Sequence, residues 1–145
     1  MNNCGDLQVD REVLFLESWY ETGRRSRITT TYGIFYSPDS PLTLIDKASM
    51  LLSFPNGERR KATRHNLKAY EENIILFSHC GFAAFPTHPP SQLGCVWIFK
   101  HPYTLEAVST FKTRIIYERY GIAKEVDASI HALSKQRKRL HEIVF

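Results

Sequence analysis

Glu12-Val-Leu-Phe-Leu-Glu-Ser-Trp-Tyr-Glu-Thr22, Gly23-Arg-Arg-Ser26 and Ile28-Thr-Thr-Thr-Tyr-Gly-Ile-Phe-Tyr36 form the stretch on which the fold turns. The outer segments are rich in β-branched and aromatic residues, which suit a pleated, half-buried surface. The middle segment reads as a turn. Two such runs around a glycine predict a β-hairpin, with Arg24, Arg25 and Arg27 at its tip.

The pattern continues outward. Ser37-Pro-Asp-Ser-Pro41 is a loop, because prolines and small polar residues start turns and break ladders. Residues 42–54 are largely apolar and suit either helix or strand. Pro55-Asn-Gly-Glu58 is a turn signal, since Asn-Gly accepts positive φ. The stretch after it reads as a second strand, or as a short helix over 63–72. Residues 73–80 and Cys95-Val-Trp-Ile-Phe99 predict buried strands, with the stiff loop Pro86-Thr-His-Pro-Pro90 between them.

The apolar period then changes. Leu105, Val108, Phe111, Ile115 and Ile116 repeat at helical spacing behind a capping Thr104, and Gly121 stands where a helix would stop. A second helix is expected from about Lys124, with the stripe Val126, Ile130, Leu133, Leu140 and Val144, interrupted by Arg137. The expected class is α+β: an antiparallel β-rich body over ~12–100 followed by two C-terminal helices. A chain of 145 residues predicts one domain, 1–145, with residues 1–10 as a flexible N-terminal segment.

Charge is the main functional signal. The formal net charge is +4, a modest excess, but the cations are clustered. Arg24, Arg25 and Arg27 form one group, and Arg59, Arg60, Lys61, Arg64 and Lys68 a second. Lys112, Arg114 and Arg119 form a third, and Lys135, Arg137, Lys138 and Arg139 a fourth. Rows of fixed positive charge contact successive phosphates, which supply affinity without sequence selectivity. Residues 1–22 are acidic by contrast, with Asp6, Asp10, Glu12, Glu17 and Glu21 against Arg11. Such asymmetry steers a polyanion to one side. The competing readings are a solvated surface face for 59–68, and a helix-dipole partner or nuclear-import address for 135–139.

Aromatics are interleaved with the charge: Trp19, Tyr20, Tyr32, Phe35, Tyr36, Trp97, Tyr103, Tyr117 and Tyr120. Most aromatics of a small domain are core. Trp19, Tyr20 and Tyr36 flank the arginine tip and are the candidates to stack on bases.

Other chemistry finds less support. His79, Cys80, His88, Cys95 and His101 raise the question of zinc, but their spacing contains no compact ligand pair, and buried cysteines with loop histidines are the competing reading. No metal or other cofactor is expected. The stretch 118–133 resembles the middle of a helix-turn-helix motif, in which the second helix would read the major groove. An ordinary αα-hairpin fits it as well. The nucleophile, phosphate-loop, dinucleotide and zinc-protease signatures are lacking, so no enzyme and no small-molecule substrate is expected. Three cysteines without a signal peptide suggest a reducing compartment, and the longest apolar runs are too short to span a bilayer. The expected location is intracellular: cytoplasm, with the nucleus as a second site.

Two functions remain open. One is a non-enzymatic, basic nucleic-acid-binding accessory or regulatory protein for RNA or single-stranded DNA, of a composition seen in small viral proteins. The other is a matrix-like or adaptor protein whose cations face an anionic membrane surface or an acidic protein. The C-terminal helix stripe would then serve a homo-oligomer.

Overall fold

The computed structural model describes residues 12–52, 75–77, 82–89 and 92–142. In chain order these form β1 (Val13–Glu21), β2 (Arg24–Thr30), β3 (Gly33–Ser37), α1 (Pro41–Leu52), β4 (Ile75–Phe77), β5 (Phe82–Pro86), β6 (Val96–Phe99), β7 (Thr104–Ser109), β8 (Lys112–Tyr117), β9 (Ile122–Val126) and α2 (Ile130–Glu142). The class is α+β. One sheet has the order β3-β2-β1-β6-β5-β4 and a smaller one the order β7-β8-β9, with every neighbouring pair antiparallel.

Strand alternation explains the core. Phe15, Phe85, Val96 and Ile98 share one face of the large sheet and pack on Ile115, Tyr117 and Val126 of the small sheet and on Leu133 and Leu140 of α2. Leu16, Ile28 and Trp97 lie on the opposite face and are also buried. A sheet buried on both faces needs cover on each side, and α1 packs against β1 and β4 with Leu44 and Ile45 buried. The ambiguous stretch after residue 41 is therefore helical. Pro41 occupies its first turn, and Ser40 Oγ accepts from the Thr43 N–H at 3.2 Å.

The arginine hairpin forms, but it turns at Thr22-Gly23, where Gly23 has φ 75°, and not over residues 23–26, so Arg24, Arg25 and Arg27 already belong to β2. The run 28–36 is not one strand: it folds back at Thr31-Tyr32 to make β2 and β3.

The C-terminal region differs more. The expected helix over 104–121 is the β7–β8 hairpin followed by a single 3-10 turn, Glu118–Tyr120. Its apolar residues satisfy a helical period by coincidence. Thr113, Ile115 and Tyr117 are buried alternately, with period two, whereas Val108 and Phe111 are exposed. The second helix starts at Ile130 and not near Lys124, because residues 122–126 are β9. Ser129 sets that start by accepting the Ala132 N–H on its Oγ at 3.1 Å. Both readings of 118–133, helix-turn-helix and αα-hairpin, are overturned by the strand between the turn and α2.

Two residues of the stripe read as an oligomer seam face inward. Leu133 and Leu140 are buried in the subunit's own core. Among the described residues no helix is long and apolar enough to cross a membrane.

Register places the ends of the two sheets together. Glu17 of β1 lies opposite Val96 of β6, so residues 18–26 of the first hairpin project beyond the start of β6. Thr87 and His88 sit at that same end, through Thr87 N–H to the Val96 carbonyl (2.9 Å) and His88 Nε2 to the Asp127 carbonyl (2.8 Å). Thr113 pairs with Val126 and bonds the Ala128 carbonyl at 2.8 Å, which brings the β7–β8 turn there too. The opposite end is closed by Tyr117 Oη donating to the Leu14 carbonyl at 3.2 Å.

Tyr103 and Tyr117 make an edge-to-face pair with centroids 5.5 Å apart. Burial pushes the Tyr103 phenol up to about 12, against the opposing charge of Arg137. Burial, and then Tyr103, push Tyr117 up further. Both phenols are neutral below pH 10, folded or unfolded. Above pH 10 the unfolded chain ionises while the folded chain keeps its protons, so stability falls as pH rises. We expect Tyr103 to account for a loss on the order of 2 kcal/mol between pH 10 and 12. Urea unfolding of wild type and Tyr103→Phe at pH 9 and pH 11.5 measures it. Equal pH slopes for the two proteins would refute it.

Candidate nucleic-acid interface

The first hairpin orders its side chains by cross-strand pairing. Arg27 lies directly opposite Glu17 on β1 and Tyr36 on β3. Its Nε and Nη2 both donate to Glu17 Oε2, at 3.1 and 2.9 Å. The other oxygen, Oε1, accepts from Lys124 Nζ of β9 at 2.7 Å. Lys124 reaches it because, with Ile122 and Val126, it is on the inward side of the small sheet. Glu17, only 7% exposed, thus holds Arg27 within the large sheet and, through Lys124, ties that sheet to the small one.

Above this cluster the cations stack on rings. The Arg27 guanidinium is 4.0 Å from the Trp19 ring centroid and that of Arg24 is 4.4 Å from the Tyr36 centroid. Trp19 and Tyr36 are themselves 6.0 Å apart. Trp19 Nε1 donates to Glu21 Oε1, and Arg24 Nη1 to Glu21 Oε2 at 3.4 Å. The result is a ladder of alternating charge and ring. Arg25 and Tyr20 stand outside it, exposed at the tip. Arg25 has no carboxylate partner among the described residues.

The C-terminal cations divide in the same way. Arg137 explains its own break in the apolar stripe: it is partly buried, donates to the Tyr103 carbonyl at 2.8 Å and lies over the Tyr103 ring. Arg139 is partly buried beside Gln136. Lys135 and Lys138 are exposed. On the outer side of the small sheet, Arg114 is clamped between Glu106 and Glu125. These bonds raise the Arg114 pKa and lower that of Glu125.

The expected cation sites therefore do not meet in one surface among the described residues. Arg24 and Arg25 are at one end, Lys135 and Lys138 lie along α2, and Arg27 and Arg137 are engaged inside the fold. Arg59, Arg60, Lys61, Arg64 and Lys68 lie outside the described residues. Trp97 and Tyr117 are fully buried. Sequence reasoning missed Lys124. Its signal was strand alternation within 122–126, hidden by the helical reading. For zinc, His79 and Cys80 are outside the described residues, His88 is bonded to Thr87 and Asp127, and Cys95 is buried, with its thiol pushed up by that burial. Among the described residues no three His, Cys, Asp or Glu come together to hold a metal.

The α+β body thus leaves Arg25 exposed on the hairpin and Lys135 and Lys138 exposed along α2, while Arg24 is shared with Glu21. A family model described as ComK protein matches residues 7–145, nearly the whole chain, and the chain belongs to the ComK family. It is accordingly a regulatory nucleic-acid-binding protein. No curated protein and no solved structure matched it.

Proposed function

We propose that this protein is a non-enzymatic transcription regulator that binds duplex DNA, with Arg24 and Arg25 of the first hairpin on phosphates. The family match over residues 7–145 carries the reading. Base stacking needs open ring faces, and a guanidinium lies over one face of Trp19 and one of Tyr36, which disfavours stacking at those two rings and leaves the exposed Tyr20 as the remaining candidate.

The test is fluorescence anisotropy with a duplex and with its separate strands, DNA and RNA, titrated with salt. Duplex DNA binds best, with log affinity falling linearly in log salt. The double variant Arg24→Glu/Arg25→Glu lowers the magnitude of that slope by about two, one for each lost phosphate contact. Stronger binding to single strands or RNA, or to anionic vesicles, overturns the proposal. An unchanged slope removes these two arginines from the interface.

A further inference from the structure

The β7–β8 hairpin ends in Ser109-Thr110-Phe111-Lys112, and Phe111 is 74% exposed, the largest value for a large hydrophobic among the described residues. A ring at that exposure adds little to the core. Register puts this tip at the end of the molecule that also carries Arg24 and Arg25. Thr113 is tied to Val126 and Ala128, and His88, bonded to the Asp127 carbonyl, adjoins the β6 start beyond which the first hairpin projects. Lys112, beside Phe111, is held only loosely, its Nζ 3.9 Å from Asp127.

We propose that Phe111 is a wedge that enters between neighbouring bases of the duplex held by the arginine hairpin. This rests on the duplex-binding reading above. A single ring on a narrow turn, flanked by hydroxyls and a lysine, has the shape of a group that parts a base step. It lacks the area of a protein interface, which needs about 800 Å² on each partner. Three cations at the same end, Arg24, Arg25 and Lys112, draw in the phosphates on either side. Glu21 lies against Arg24 and Asp127 near Lys112, Arg25 has no carboxylate partner among the described residues, and Arg114 offsets one of the two charges of Glu106 and Glu125.

The experiment uses the full chain and duplexes bearing 2-aminopurine at successive positions, with anisotropy on the same duplexes. Wild type raises 2-aminopurine fluorescence at a discrete step, which reports unstacking. Phe111→Ala abolishes that rise and weakens binding roughly tenfold, in the range for one lost aromatic–base contact. Phe111→Trp restores both, and thermal stability is unchanged in each. Tight wild-type binding without a fluorescence rise, or a Phe111→Ala protein that behaves as wild type, overturns the wedge and leaves the duplex reading standing. Absence of duplex binding by wild type removes the duplex reading, and the wedge with it.

Discussion

Tyr117→Ala unfolds at a much lower urea concentration than wild type, with a loss of about 3–5 kcal/mol, the range for truncating a large buried aromatic. Tyr117 has no exposed surface. It comes from the small sheet, stacks on Phe15 of the large one at 5.9 Å and meets Tyr103 edge-on. Truncation leaves a void at the seam of the two sheets, where neither can relax without losing its own ladder. A typical domain is stable by only 5–15 kcal/mol, so this one change removes a large part of the total. Tyr117→Phe separates packing from hydrogen bonding. It keeps the ring but takes the donor from the buried Leu14 carbonyl, at a cost of about 1–3 kcal/mol. Equal losses in the two variants would show that the ring is not what joins the sheets.

The same residue shows why part of the fold was hard to read. Residues 104–117 place apolar side chains where a helix would want them, yet Thr104, Val108, Thr110, Thr113, Ile115 and Ile116 are all β-branched and favour strands through their stiff χ1. Periodicity and propensity disagreed, and propensity won because the large sheet offered an apolar face for alternate residues to cover. The first hairpin was legible because both signals agreed there. So was the class, which survives a helix read in place of a hairpin.

The site was legible in kind but not in layout. Sequence places Arg24, Arg25 and Arg27 together. It does not say that Arg27 pairs with Glu17 across the hairpin while Arg25 stays in water, nor that a lysine some hundred residues away shares that carboxylate. Nor could charge counting find Phe111, whose interest lies in an exposure that helical periodicity assigned to a core.

Glu17→Gln is the second variant with a large effect. The carboxylate is nearly buried and holds two cations whose side chains are themselves only 24% and 23% exposed. Removing one partner of a buried pair costs about 3–5 kcal/mol, since the remaining charge is left in a poor solvent. Here two charges are stranded and face each other, but each keeps some contact with water and the loss is screened. We expect about 2–4 kcal/mol by urea unfolding, falling as salt is raised. Arg27→Met is expected to cost less, because Glu17 keeps Lys124 and the methionine chain still covers Trp19. If Glu17 serves the fold and not the ligand, Glu17→Gln leaves the remaining folded protein binding duplex DNA at least as tightly as wild type, since one negative charge has gone from beside the arginine hairpin. A stable Glu17→Gln protein with weakened binding would place the carboxylate in the interface. The Trp19–Arg27 ladder would then read as a contact surface, not as an internal brace of the first hairpin.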